Sequence, residues 1–115
     1  MRRGDVYWVD LDPGRGSEAS KTRPAVIVSS DAANRAAERR GRGVVTVVPV
    51  TSNTDRVFAF QTFLAAADSG LPSDSKAHAE QVRTVATERL AGRIGSLPAD
   101  VLRQIEDALR VHLAL

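Results

Sequence analysis

"VVTVVPVTSN", Val44 to Asn53, opens as a run of β-branched and apolar residues and closes on two hydroxyls and an amide. Apolar character without a 3.6-residue period, over a length typical of strands, predicts a β-strand with at least one buried face. Pro49 inside it lacks a backbone donor and predicts an edge position or a bulge. The neighbouring stretches repeat the pattern. "VYWVDL" (Val6 to Leu11) and "AVIVSS" (Ala25 to Ser30) read as strands, as does "FAFQTFLAA" from Phe58. "AHAEQVRTVA" (Ala77 to Ala86) makes a fifth, after a turn marked by Gly70, Pro72 and Ser73.

Two segments change period. "DAANRAAERRGRG", from Asp31, is alanine-rich, with Asp31 as N-cap and Gly41 as stop, so a short helix is expected there. Its Arg35, Arg39, Arg40 and Arg42 against Glu38 read as a solvated face. From Leu97, Val101, Leu102, Ile105, Ala108, Leu109, His112 and Leu113 recur at three and four, with Ser96 and Pro98 as start signals. That spacing predicts an amphipathic C-terminal helix with His112 packed on or near its apolar stripe. Five short strands, one terminal helix and no βαβ alternation predict a mainly β fold, a small and strongly bent antiparallel sheet or barrel.

The 115 residues form one domain, 1–115, large enough to remove roughly two thirds of the unfolded surface from water. There is no cysteine, which excludes disulfides, thiolate metal sites and a cysteine nucleophile, and fits a reducing cytoplasm. Asp5, Asp10 and Asp12 stand where a signal peptide would be apolar, and no run approaches the roughly 20 apolar residues of a spanning helix. The expectation is a cytoplasmic protein with no membrane partner. The net charge of +2 is too small to imply a nucleic-acid partner by itself. The cations are mostly arginine, whose planar fork suits phosphate and carboxylate, and their excess lies before residue 58.

No His-x-Glu, Glu-x-x-His, G-x-S-x-G, P-loop or G-x-G-x-x-G pattern occurs, so neither a metal nor another cofactor is expected. Chemistry concentrates in two places. In "GRGSEASKTRP", Gly14 and Gly16 allow close backbone approach, Ser17 and Glu18 supply acceptors, and Lys21 and Arg23 supply cations. Pro24 pushes Arg23 into an extended conformation, so the guanidinium leaves the strand's start at a defined place, although an ordinary edge arginine is the competing reading. At the end of the Val44 strand, Thr51, Ser52 and Asn53 present hydrogen-bonding groups that could equally cap a turn. His78 falls in phase with Glu80 on the fifth expected strand and is open to acid/base or structural use.

Taken in order, "RGDVYWVDLDPGRGSEASKTRPAVIVSSDAANR", "VVPVTSN" and "AEQVRT" resemble the MazF/PemK/Kid family of toxin endoribonucleases, over nearly the whole chain from Gly4. The resemblance implies a compact SH3-like barrel, a homodimer, and a cognate antitoxin whose disordered tail blocks the RNA groove. It implies sequence-specific, metal-independent cleavage of single-stranded RNA by its 2′-hydroxyl, leaving a 2′,3′-cyclic phosphate and a 5′-hydroxyl. The family's catalytic arginine falls on Arg23 and its catalytic threonine on Thr51. Ser17 and Glu18 match residues that handle substrate, and Gln81 matches a glutamine at the RNA groove. Lys21, Ser52 and Asn53 are further RNA-binding candidates. At the place of Glu80 one branch has an acidic residue in acid/base work, with an arginine two places earlier where this chain has His78.

The phosphorane formed in such cleavage carries extra negative charge, which a fixed guanidinium and a threonine hydroxyl can meet. Arginine does not give up its proton readily, with a pKa above about 12, so Glu18, Glu80 and His78 are the candidate proton carriers. Two other readings stand beside this one: a gyrase poison on the same barrel, and a non-catalytic RNA-binding module. The gyrase-poison relatives end on an aromatic residue, and this chain ends "VHLAL".

Overall fold

The computed structural model describes all 115 residues. Seven strands form one antiparallel sheet: β1 (Asp5–Asp10), β2 (Thr22–Ile27), β3 (Val44–Thr51), β4 (Gln61–Leu64), β5 (Ser75–His78), β6 (Arg83–Ala86) and β7 (Leu90–Ser96). They are ordered β4-β5-β3-β2-β1-β7, with β6 also on β3. Three helices accompany them: α1 (Asp31–Arg40), the single turn α2 (Ala66–Ser69) and α3 (Ala99–Leu113). The mainly β fold with a C-terminal helix is as expected; the sheet is bent and open, with β4 and β7 at its two ends and β6 paired on one side only.

The continuous apolar runs have a simple cause. Alternate residues of β1, β2 and β3 supply opposite faces, and both faces are buried. Val6, Val26, Val48 and Val50 pack with Leu64, Leu71, Ala77, Val101 and Ile105 on the face that α3 covers. Val9, Ala25, Ile27, Val45 and Val47 pack with Leu11 and Val85 on the other. On α3 the inward residues are Val101, Ile105 and Ala108. His112, expected to pack, is exposed, because the last turn of α3 runs past the sheet that covers the earlier turns.

β3 organises the sheet. Its first half pairs with β6, Val44–Val47 against Ala86–Arg83, and its end pairs with β5, Val50 and Thr51 against Ala77 and Lys76. Pro49 therefore lies within the most-paired strand and in unshifted register with β2, at neither the edge nor the bulge expected. It faces Ala25 of β2 on one side. On the other, the break between β5 and β6 leaves no ladder partner for the donor that proline lacks.

That break also corrects the single strand expected over Ala77–Ala86. A 3-10 turn at Ala79–Gln81 separates β5 from β6 and moves the chain to the other half of β3. Likewise Phe58 and Phe60 precede β4, which starts at Gln61, and their rings stack at 5.2 Å. Ser30, one residue before the expected Asp31, caps α1 by accepting from the Ala33 N–H; Gly41 ends it at φ 67°. β7 escaped the sequence pattern because it is only half-buried and is interrupted by Gly92 and Gly95. Gly95 is required by packing: a Cβ there would stand 2.5 Å from the Ser69 carbonyl oxygen.

Candidate active site

Three clefts join along the surface where the β1–β2 loop meets β3 and the β5–β6 turn. The first, about 310 Å³, lies between Trp8, Arg23, Pro24, Thr51, Ser52 and the Leu71–Ser73 segment. The second, about 130 Å³, is lined by Ser17, Glu18, Arg23, Val50, His78 and Gln81. Arg23 and Val50 belong to both, so the guanidinium's residue stands at their junction. Glu18 and Gln81 lead on into a third, beside Glu80 and Arg83.

Arg23 occupies β2 opposite Val9, half-buried. Its Nε donates to the Ser20 carbonyl at 2.8 Å, which fixes the guanidinium plane. The four N–H groups on its terminal nitrogens have no protein acceptor and remain for an anion. Pro24 pairs only toward β1, at Trp8, because the β2–β3 ladder begins one residue later at Ala25.

Thr51 ends β3, its Oγ1 accepting from the Asn53 N–H at 3.3 Å. Asn53 Oδ1 accepts from the Asp55 N–H at 3.1 Å. The turn-capping reading and the site reading thus coexist: accepting through the hydroxyl oxygen leaves the Thr51 proton free to donate. Ser52 lines the first cleft, whereas Asn53 lines none of the three.

The loop from Asp12 to Lys21, which leads into Arg23, is held from outside its own segment. Gln81 Oε1 accepts from the Ala19 N–H at 3.1 Å and its Nε2 donates to the Ser17 carbonyl at 3.0 Å. Arg83 and Arg89 donate to the carbonyls of Leu11 and Asp10, at 3.2 and 3.0 Å. Gln81, expected at an RNA groove, holds the loop through its amide and lines the second and third clefts. Glu18 accepts from the Arg15 N–H and is exposed. Lys21 adopts φ 65° with its backbone N–H held by Asp12, and it lines none of the three clefts.

The sequence profile of the PemK-like, MazF-like toxins of type II toxin–antitoxin systems matches residues 2–113. The chain belongs to this family. Among its relatives, endoribonuclease MazF9 of Mycobacterium tuberculosis is 57% identical over 115 residues, spanning 100% of this chain and 98% of that protein. Endoribonuclease EndoA of Bacillus subtilis is 30% identical and spans 100% and 96%. Among solved structures, MazF from Deinococcus radiodurans superposes with a TM-score of 0.81 at 26% identity, covering 100% of this chain and 97% of that one. A mycobacterial endoribonuclease in complex with its cognate antitoxin superposes with a TM-score of 0.78 at 25% identity, covering 100% and 96%.

Two features of this toxin's site were not legible as site features in its sequence. In sequence Trp8 has the signature of a strand residue alone, but it is 40% exposed and lines the first cleft. Gln61, on β4, is nearly buried; its Nε2 donates to Glu80 Oε2 at 2.7 Å and lies 3.4 Å from His78 Nδ1. His78 and Glu80 are indeed neighbours, Nδ1 to Oε2 3.4 Å, though one ends β5 and the other lies in the 3-10 turn. An exposed tryptophan or a cross-strand glutamine has no local sequence signal, since both depend on which strands become neighbours.

Proposed function

We propose that this toxin is a sequence-specific endoribonuclease that cleaves single-stranded RNA without a metal, leaving 2′,3′-cyclic phosphate and 5′-hydroxyl ends. The observation that carries the reading is Arg23 at the junction of two clefts, with Thr51 in one and His78 and Glu18 in the other. A phosphodiester laid across the junction meets donors on both sides. Arg23 supplies a fork with one edge already fixed by Ser20, so little reorganisation is needed as negative charge grows on the nonbridging oxygens. Thr51 supplies a hydroxyl proton. The attacking 2′-hydroxyl must lose its proton and the leaving 5′-oxygen must gain one, which assigns acid/base work to His78, Glu18 or Glu80.

The working unit is a homodimer, and the physiological partner is a cognate antitoxin that occupies the RNA groove. Support for a dimer comes from the end of the chain, where Val111 and Leu113 on the last turn of α3 and Leu115 beyond it are 56%, 49% and 83% exposed. Exposed apolar side chains at a helix end are suited to cover by a second copy. No helix is long and apolar enough to cross a membrane, which is compatible with a cytoplasmic place of action. Incubating the purified protein with RNA in EDTA tests the activity. Cyclic-phosphate ends support it; binding without cleavage, or neither, overturns it.

A further inference from the structure

Gln61 is directly opposite His78 in the β4–β5 ladder. Its side chain has only one orientation consistent with its neighbours. The Phe58 N–H donates to Oε1 at 3.1 Å, so the NH₂ end must face His78 and Glu80. There Nε2 donates to Glu80 Oε2 at 2.7 Å, and the same carboxylate oxygen is 3.4 Å from His78 Nδ1. Glu80 Oε1 is buried with no partner. The carboxylate's contacts are therefore gathered on Oε2, the oxygen shared by the glutamine and the histidine.

We infer that Gln61 is a positioning residue for the cleavage reaction, holding Glu80 so that it accepts from His78 Nδ1–H and leaves His78 Nε2 as the proton acceptor for the 2′-hydroxyl. The inference deepens the endoribonuclease reading and rests on it. Two arrangements could satisfy the triangle: Gln61 donating to a bare Nδ1, or Nδ1–H donating to Glu80. A bond to a carboxylate is charge-assisted and the stronger of the two, and a catalytic hydrogen bond of 3.4 Å tightens when substrate fills the site. The same logic, a base oriented by a carboxylate, operates in hydrolytic triads.

His78 Nε2 has no protein partner, and His78 shares the second cleft with Arg23. The charged groups around the ring are Glu80 on its own turn, with Glu18 and Arg23 lining the cleft. In the step, the 2′-oxygen bonds to phosphorus as its proton passes to Nε2. The bond from phosphorus to the 5′-oxygen breaks, that oxygen takes a proton from water, and His78 returns its own to solvent.

The test begins with ring ¹⁵N spectra of the folded protein carrying His112→Gln, which leaves His78 as the sole histidine. At a pH where the ring is neutral, the expected form is Nδ1–H. A predominant Nε2–H form, the one preferred by free imidazole side chains in water, would overturn the inference whether or not RNA is cleaved. Gln61→Met then keeps length and removes the donor. Expected are an unchanged circular dichroism spectrum, kcat lowered about 10-fold with KM within about 2-fold, less than the roughly 100-fold or more for losing the acid or base itself because His78 is still present, and a shift of neutral His78 toward Nε2–H. A folded Gln61→Met with full turnover overturns the positioning role. Absence of cleavage by the wild type would instead remove the endoribonuclease reading, with the ring spectrum still deciding the hydrogen-bond arrangement.

Discussion

Arg23 Nε donates to the carbonyl of Ser20, three residues earlier in the loop that leads into β2, at 2.8 Å. A side chain that reaches back to the preceding loop surrenders one donor and gains a fixed plane. Pro24 restrains the backbone beneath it, and Gln81 restrains the loop at Ser17 and Ala19. The arginine's four remaining donors are thus held in place before any ligand arrives.

If that preorganisation serves cleavage, Arg23→Ala lowers the single-turnover rate by roughly two to three orders of magnitude with the fold retained. Arg23→Lys restores little, because lysine has neither the Nε bond to Ser20 nor a fork for two phosphate oxygens. Labelled RNA cleavage beside circular dichroism measures both, and near-normal cleavage by folded Arg23→Ala would assign the chemistry elsewhere.

Thr51→Ser should keep most activity and Thr51→Ala should lose about 10-fold or more, because the hydroxyl proton is the proposed donor. The structural share of that hydroxyl is small: one 3.3 Å bond from the exposed Asn53 N–H, worth about 1 kcal/mol at most. Denaturant midpoints for the two variants separate the effects. Equal cleavage by Ser and Ala variants would remove Thr51 from the mechanism.

Gln81→Ala removes both bonds from the β5–β6 turn to the β1–β2 loop and should cost about 1–2 kcal/mol. Faster amide exchange at Ala19 is the direct readout. Because the loop carries Ser17 and Glu18 and leads into Arg23, cleavage should fall with it, through lost positioning; an unchanged exchange rate at Ala19 would show that Arg83 and Arg89 suffice to hold the loop.

Burial, and then the neighbouring Asp5 carboxylate, push the Tyr7 phenol above its usual value of about 10, with Arg93 opposing. The folded state therefore keeps this proton where the unfolded chain loses it. The contribution is fully present below the unfolded value and disappears as pH rises through the folded one. Tyr7→Phe should thus flatten the fall in denaturant midpoint between about pH 9 and about pH 11. An identical fall in both proteins would place the alkaline sensitivity in other groups.

Much of the fold was legible because period reports burial. The β-branched runs at Ala25 and Val44 are strands buried on both faces, and the three-and-four spacing after Leu97 is a helix with Val101 and Ile105 inward. Where burial is weak, the signal fails. β7, half-buried and glycine-interrupted, carries no alternation to read, and the 3-10 turn that splits Ala77–Ala86 follows from β3 changing partners. Pro49 was misplaced for the same reason: its tolerance depends on a gap in a neighbouring ladder, not on its own surroundings in the chain.

The sequence by itself determined the family, the mainly β architecture, and the residue types of the candidate site, since the loop leading to Arg23 and Pro24 and the strand ending in Thr51 are each contiguous in the chain. Only the tertiary structure decided their working relations. Gln81 became the loop's clamp because Ser17 and Ala19 fold against it from more than sixty residues away. Gln61 met His78 and Glu80 because β4 pairs with β5 in a register that sets Gln61 against His78. Hydrogen bonds act over about 3 Å, and which distant residues come within that range is set by strand register and partner exchange, quantities that no local stretch of sequence contains.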